Sequence, residues 1–398
     1  MQIRLQVFER LLLFLAAVVI PLYFTDLRLS LPGVIIRLAD IASICIIGLY
    51  FILVRYKRIL WCVPNGYQMV FIFIGYCFLL GIFKSSVKDA IVESVQWALL
   101  LVVIGIVYGQ SKKHPKKFQH LFIKSLIAIC IFVVLYHFSQ GKYSHYKSLG
   151  DAKYILALTG VVLVSHMYFY SSKQYMYPLI ILYPFILLSL ERKGILAFHV
   201  VSLIYLMMAY RHILKGLLIT FFCVSIFLLL LLPNSFDLSG VSFFSYNDSE
   251  IYYLDEQAAV WISDLHRQSL VTFGWDIFQK NMLFGVGPKM LTSHMLDYFY
   301  SPNLALYTHN VFLDLLIEYG VLGIILLVFP YFIFILKTSF NINKQRNCFF
   351  CLFVYSFIML FFMSSGAPSM ILFYLPLCMG FVFNSSVLTD SEMHVRMN

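Results

Sequence analysis

Polar side chains recur at a helical spacing inside one of the most apolar stretches of the chain. Asn310, Asp314 and Glu318 follow one another at every fourth position, so a helix would stack them on one face. His309 precedes them, at the start of the same stretch. Burying a carboxylate or an imidazole in hydrocarbon costs on the order of several kcal/mol unless it is paired. These residues therefore need either protein partners or a substrate.

Two explanations of this group are open. An imidazole can accept a proton near neutral pH, which makes His309, at the outward end of this stretch, a candidate functional residue. The structural alternative is that Asn310 caps the helix and that the two acids pair with neighbouring helices. Capping accounts less well for His309, because imidazole is a poor helix cap.

A second candidate lies in the long polar segment 234–308, which holds eight acids and three bases. Arg267 is its one arginine among those acids, which singles it out as a candidate functional residue. An ordinary surface ion pair with Asp264, three positions earlier, is the alternative. Within the segment, apolar residues of 256–283 recur near the helical period, which predicts an amphipathic helix.

The composition identifies the environment in which these residues must be positioned. Of the 398 residues, 61% are hydrophobic and 12% are charged, and the mean hydropathy is +0.85. A soluble globular chain has about a quarter of its residues charged. The chain is therefore predicted to be an all-α, polytopic integral membrane protein, folded as a single transmembrane domain over 1–398 with 234–308 inserted as a long outward loop.

Apolar runs of about 17–25 residues can cross a bilayer as helices, and the chain contains about twelve of them. The predicted spans are centred on 11–24, 33–54, 67–83, 91–109, 119–137, 152–170, 174–190, 194–210, 212–232, 310–336, 348–364 and 368–385.

The distribution of Lys and Arg predicts the orientation of these spans. With the N-terminus in the cytoplasm, cytoplasmic segments hold sixteen of the 29 basic residues and outward segments hold eleven. Both termini are then cytoplasmic and 234–308 faces outward. The basic excess is thus explained by topology, and we expect no nucleic-acid partner.

This topology bears on two further pairs of charged residues. Arg192 and Lys193, in "ERKG", are predicted at an outward tip where positive residues are disfavoured, so lipid headgroups or a lipid-linked phosphate could hold them. Arg37 and Asp40 share one face near the outward end of the second span. We interpret this second group as an internal ion pair.

Three stretches, taken in order, resemble the O-antigen ligase and polymerase superfamily of bacterial envelope glycan assembly. "LSLERKGILAF" (188–198) is similar to the family's small-Ser-Arg-(Lys)-Gly turn, with Glu191 where Ser is usual. "RQSLVTFGWDIFQKNMLFGVGP" (267–288) resembles its Arg-x16-Phe-Gly-x-Gly stretch. "THNVFLDLLIEYGVLG" (308–323) is similar to its His-Asn-x2-Leu-x4-Glu-x-Gly-x2-Gly signature.

The resemblance implies a multi-span (GT-C-like) glycosyltransferase of the bacterial inner membrane with a periplasmic active site. Its donor would be a glycan linked through diphosphate to undecaprenol. Arg192 and Arg267 would bind the diphosphate, and His309 would accept the proton of the acceptor hydroxyl or orient it; Lys193, Asn310, Asp314 and Glu318 would contact substrate. We expect no cofactor and no metal. The chain has no Asp-x-Asp triplet, and no second Cys pair or His cluster accompanies the "CFFC" at 348–351.

Three functions remain open. The first is a polymerase of lipid-linked repeat units, because the "RKG" turn and the "YTHNVFLDLL" approach are more similar to polymerases. The second is a ligase that transfers the finished glycan to lipid A-core, and the third is a transporter or flippase. The expected partners are the undecaprenyl-diphosphate-linked glycan, an acceptor glycan or lipid A-core, membrane lipids and a chain-length regulator protein.

Overall fold

The computed structural model describes residues 2–25, 27–31, 34–56, 68–139, 152–170, 175–188, 192–209, 256–299, 306–337 and 354–361. Within these ranges the regular elements are helices apart from one hairpin. The helices are α1 Gln2–Tyr23, α2 Leu38–Arg55, α3 Gln68–Lys84, α4 Val87–Lys113, α5 Pro115–Ser139, α6 Ala152–Tyr170, α7 Met176–Leu188, α8 Arg192–Ala209, α9 Glu256–Lys280, α10 Leu291–Met295, α11 Val311–Lys337 and α12 354–361.

The apolar helices confirm a polytopic membrane protein. Five of the described helices are long and apolar enough to cross a membrane, namely α1, α2, α4, α5 and α11, and α3, α6, α7 and α8 are shorter apolar helices. The predicted spans at 212–232 and 368–385 lie outside the described residues, and 348–364 is described only at 354–361. The count of twelve spans therefore stays a prediction.

The second predicted span begins five residues later than the sequence indicated. The prediction placed 33–54 in one helix, but α2 starts at Leu38 and is preceded by an antiparallel hairpin of β1 (Arg28–Leu31) and β2 (Val34–Arg37). The β-branched residues of "VIIR" favour a strand, although their hydropathy resembles that of a membrane helix. The all-α prediction is confirmed for the other described elements, and this hairpin is the exception.

Aromatic side chains join α3, α4 and α11 in the main core. The Phe73 ring meets the edge of Trp97 at a centroid distance of 5.2 Å and that of Tyr319 at 5.1 Å. All three side chains are buried. Edge-to-face pairs of this kind contribute about 0.5–1.5 kcal/mol beyond the area that they bury, so this contact fixes α11 against the first half of the chain.

Helix α11 is interrupted at Gly320, where φ is 66° and ψ is −174°. An unbroken helix would pair the carbonyls of Ile317 and Glu318 with the amides of Val321 and Leu322. The break removes both bonds, and a backbone group left unpaired in a membrane costs on the order of several kcal/mol.

The chain after α9 supplies the missing partners. Residues 282–287, which we call the plug, lie against the break and exchange four backbone hydrogen bonds with it. Two amides of the plug donate to α11 and two amides of α11 donate to the plug: Val286 to Ile317 at 2.8 Å, Gly287 to Glu318 at 2.9 Å, Val321 to Met282 at 2.9 Å and Leu322 to Leu283 at 3.3 Å.

A tyrosine of α3 completes the junction. The Tyr76 hydroxyl lies 2.8 Å from the carbonyl oxygen of Tyr319 and 3.1 Å from that of Phe284, so its O–H is shared between α11 and the plug. The junction thus joins the plug, α11 and α3.

Glycine is required on both sides of this junction. A Cβ on Gly320 would overlap the Leu283 carbonyl oxygen, and one on Gly285 would lie 2.5 Å from that of Glu318. Both residues also have positive φ, 66° and 74°. The glycines of the "EYG" and "FGVG" stretches are therefore the two faces of one backbone contact.

We expect Gly320→Ala to separate the plug from α11. The φ and ψ of Gly320 lie in a region that essentially only Gly adopts, which costs Ala about 1–3 kcal/mol, and the Cβ must in addition displace a carbonyl. Thermal unfolding of the purified protein in detergent should show a lower Tm than that of the unsubstituted chain.

Gly75→Ala is the matched control, because Gly75 lies inside α3 and nothing lies within 4 Å of the position that a Cβ would take there. Its Tm should be unchanged or slightly higher, since Ala favours a helix by about 1 kcal/mol over Gly. Equal Tm values for the two variants would contradict the role given to Gly320.

Candidate functional site

The first turn of α11 is capped by its own sequence. Asn310 directly precedes the helix, and its Oδ1 accepts a hydrogen bond of 3.2 Å from the amide of Leu313. This is the side-chain bond of an N-cap residue. The capping interpretation of Asn310 is confirmed, and contact of Asn310 with substrate remains a prediction.

Asp314 holds the turn that contains His309. Its side chain is fully buried, and its Oδ1 accepts from the Thr308 amide at 2.8 Å and from the Thr308 hydroxyl at 2.7 Å. Between Thr308 and the cap, the half-buried His309 has a φ of 58°. A non-glycine residue in this region is uncommon and is kept there by its surroundings. Asp314 therefore positions His309 through the backbone.

Helix α9 packs directly on this turn. Gly274 of α9 lies so close that a Cβ there would be 2.6 Å from Thr308 Cγ2. Leu270 and Ile277 of α9 share a buried cluster with Leu313 of α11. The predicted amphipathic helix at 256–283 is thus confirmed in its described part as Glu256–Lys280, and its apolar face covers the start of α11.

Arg267 lies on the face of α9 that meets the turn. It precedes Gly274 by seven residues, or two helical turns, and is partly buried. The structure therefore brings the Arg267 helix and the His309 turn into direct contact. The side chain of Asp264 lies outside the described residues, so the alternative ion pair is not decided.

Arg192 and Lys193 begin α8, which packs against α6 and α7. The Lys193 ammonium lies 5.2 Å from the centroid of the Tyr154 ring of α6, a cation–π contact. Glu191 and the Arg192 side chain lie outside the described residues. The structure therefore does not place this turn beside Arg267 or His309.

Helix α12 connects the two regions. Its Phe357 ring stacks obliquely on Phe312 of α11, with centroids 5.3 Å apart. Its Tyr355 hydroxyl donates to the Tyr154 carbonyl at 3.3 Å. Because Lys193 covers the Tyr154 ring, α12 links the start of α8 to the start of α11 through one intermediate helix.

Glu318 lines a cavity of about 460 Å³ together with Glu93 and Lys289, two residues that the sequence did not single out. Glu93 of α4 accepts at Oε1 from the Trp97 indole and the Tyr319 hydroxyl, both at 3.0 Å. Its Oε2 lies 3.7 Å from the Lys289 ammonium. Glu93 is a buried carboxylate inside an apolar run, the same signal that singled out Asp314 and Glu318. Because it lies in the predicted span 91–109, the sequence could have identified it in the same way.

The same cavity reaches the hairpin end of α2. Arg37 Nε donates to Asp40 Oδ2 at 3.1 Å, which confirms the ion pair predicted from their spacing. Both side chains line the cavity. Tyr307, from the turn before His309, lines it as well, and burial raises the pKa of its phenol above the ordinary range, which keeps the hydroxyl neutral and able to donate.

A charged contact braces the far end of α9. Lys280 Nζ donates to Asp276 at 2.7 Å, and the Tyr298 hydroxyl donates to the same carboxylate. The Lys280 and Tyr298 hydrogen bonds hold the pKa of Asp276 below its usual range. The groups are exposed, so the contact orients the chain after α9 more than it stabilises the fold.

The arrangement is that of a helical membrane protein with buried polar groups gathered at one end of α11, under an amphipathic helix. Residues 177–328 match the family model described as O-antigen ligase. The match spans less than half of the chain and includes all three motif stretches, so the resemblance to the O-antigen ligase and polymerase superfamily is confirmed for this part. No curated protein is similar enough to the chain to give a match.

We expect Thr308→Val to disturb the His309 turn without emptying the space that Thr308 fills. The methyl groups still pack on Gly274, but buried Asp314 loses one donor, which costs about 1–3 kcal/mol. Purified Thr308→Val should have a lower Tm, and cells that carry it should make less glycan.

Thr308→Ser is the matched control, since it keeps the hydroxyl and loses only a methyl group. It should stay closer to the unsubstituted protein in both measurements. If Ser is the more damaging change, packing on α9 and not the Asp314 hydrogen bond holds the turn.

Proposed function

We propose that this protein polymerises undecaprenyl-diphosphate-linked oligosaccharide repeat units into a surface polysaccharide. The observation that carries the proposal is the His309 turn, a constrained polar turn inside the segment that matches the family model. In the reaction, the anomeric C–O bond to the diphosphate breaks and a bond to the acceptor hydroxyl oxygen forms. The hydroxyl proton must leave and the diphosphate must take up negative charge.

The residues divide between these two tasks. Arg267 and Arg192 bind and neutralise the diphosphate leaving group, with Lys193 adding charge beside Arg192. His309 accepts the acceptor proton or orients the hydroxyl. Glu318 contacts the substrate and Asn310 does so beside its cap. Asp314 was predicted to contact substrate, but its bonds to Thr308 favour a positioning role.

The proposed setting is the bacterial inner membrane. About twelve spans form a multi-span (GT-C-like) glycosyltransferase with both termini cytoplasmic and 234–308 in the periplasm, as the Lys and Arg distribution favours. Catalysis is proposed to need neither metal nor cofactor, because arginines can carry the charge of the leaving group. A chain-length regulator protein is a proposed partner.

A ligase that moves the glycan to lipid A-core is the second candidate, favoured by the description of the matching family model. It breaks the same bond, so the same leaving-group residues serve it. The predicted transporter alternative receives no support from the family match.

One reconstitution separates the candidates. Purified protein in nanodiscs is incubated with a synthetic polyprenyl-diphosphate oligosaccharide, either alone or with lipid A-core. A polymerase should give longer lipid-linked products in both mixtures. A ligase should act only when lipid A-core is present, and movement of the lipid-linked sugar across a vesicle membrane without bond formation would contradict both.

His309 is tested by two substitutions that separate its roles. His309→Asn keeps a residue that tolerates positive φ, and His309→Gln keeps a long side chain that can hydrogen-bond but cannot accept a proton at neutral pH. If His309 is the base, both variants should lose about 10²–10⁴ in transfer rate with an unchanged Tm.

Substantial activity in the Gln variant would mean that His309 orients the acceptor hydroxyl and that the base lies elsewhere. Normal rates in both variants would remove His309 from the site.

A further inference from the structure

The cavity between α2, α4 and α11 contains a buried acceptor that no described residue satisfies. Glu318 is 4% exposed and lines the cavity, and its Oε1 has no hydrogen-bond partner among the residues that the structure describes. Buried polar atoms are nearly always bonded, so Oε1 calls for a donor inside the cavity.

The charges around the cavity argue against a phosphate as that ligand. Three carboxylates and two cations line it: Glu93, Asp40, Glu318, Arg37 and Lys289. Both cations already face a carboxylate, with Arg37 at 3.1 Å from Asp40 and Lys289 at 3.7 Å from Glu93. Neither cation is therefore available to hold an anion, and no other cation lines the cavity among the described residues.

The other residues that line the cavity suit a ring that has apolar faces and also carries hydroxyl groups. Tyr23, Tyr307 and Tyr319 contribute aromatic rings, and Ile44 and Leu99 contribute aliphatic surface. Pockets of about 300–1,000 Å³ with apolar walls and a few placed polar groups are typical of small-molecule sites, and this cavity of about 460 Å³ lies within that range.

We propose that this cavity binds a neutral sugar ring of the acceptor glycan, whose hydroxyls donate to Glu318 Oε1 and to Glu93 Oε2. The proposal rests on the glycosyl transfer proposed above and names a site for the acceptor that is separate from the arginines assigned to the diphosphate. The cavity reaches the chain at Tyr307, two residues before His309. A ring held there lies next to the segment that carries the candidate base.

Direct binding measures the site apart from catalysis. The probe is the repeat-unit oligosaccharide of the producing cells, prepared as its methyl glycoside and titrated against the full-length protein in nanodiscs. Glu318→Gln keeps the shape of the side chain and replaces one carboxyl oxygen with an NH2 group that accepts no hydrogen bond, so the glycoside should bind about 10- to 100-fold more weakly. Undecaprenyl diphosphate without sugar, titrated in parallel, should bind as before.

Glu9→Gln is the matched control. Glu9 undergoes the same change of carboxyl to amide, but it faces Lys113 at 3.9 Å and does not line the cavity. Its affinity for the glycoside should equal that of the unsubstituted protein, and thermal unfolding checks that both Gln variants are folded.

A second pair of variants tests whether the glycoside occupies the cavity, and does so without changing the Glu318 carboxyl group. Ile44 is an exposed residue that lines the cavity, and Ile52 is an exposed residue two turns further along α2 that does not. Ile44→Trp should obstruct the cavity and abolish glycoside binding, whereas Ile52→Trp should leave it unchanged.

The outcomes separate this proposal from the proposed function. Unchanged glycoside affinity in folded Glu318→Gln and Ile44→Trp overturns the acceptor site, even if the protein transfers glycan. An equal loss of glycoside and undecaprenyl diphosphate binding also overturns it, because one site would then hold both. Loss of glycoside binding alone supports the site, even if reconstitution detects no transfer and the proposed function fails.

Discussion

The four backbone hydrogen bonds between the plug and the broken helix α11 are the contact on which the site depends. A helix in a membrane can be interrupted only where other groups bond to the freed amides and carbonyls. Here the partners come from a segment more than 30 residues earlier in the chain, which must return to the depth of Gly320. Because the plug follows α9 directly, the same bonds determine where α9 ends. They also place Lys289, two residues after the plug, opposite Glu93.

Two kinds of contact then fix α9 along its length. At its C-terminal end the plug anchors it to α11, and in its middle the absence of a side chain at Gly274 lets it touch Thr308. A helix held at two points cannot rotate freely, so the orientation of Arg267 is set by backbone contacts made elsewhere. The His309 turn is held in the same way, by Asp314 beneath it and by Asn310 at the cap. Preorganisation of this kind is what a charged transition state requires.

The sequence predicted those features that depend on local composition. Apolar runs predicted α6 at 152–170, periodicity predicted α9, and spacing predicted the Arg37–Asp40 pair. It did not predict the hairpin at Arg28–Arg37, since strand and membrane-helix residues overlap in hydropathy. Nor could the sequence explain Gly285 and Gly320. Each must be glycine because a Cβ there would collide with the backbone beside the other. Tyr76 carried no signal for the same reason: its partners are carbonyls that are free only because the helix is broken.

The distribution of charge along α11 separates two environments that a glycosyl transfer needs. Its start lies under α9, whose one arginine is the candidate for the diphosphate. Two turns further, Glu318 joins Glu93 and Asp40 around a cavity whose two described cations, Arg37 and Lys289, each already face a carboxylate. On the proposed function, Arg267 holds the diphosphate in the first environment, and the acceptor hydroxyls are favoured in the second, beside the Glu318 carboxyl oxygen that no described residue bonds. Both environments lie along α11, and the plug holds α11 at its break. The distance between the two environments is therefore set by the helix itself. In the proposed reaction His309, just before the start of this helix, accepts the proton of the acceptor hydroxyl or orients that hydroxyl as the diphosphate departs.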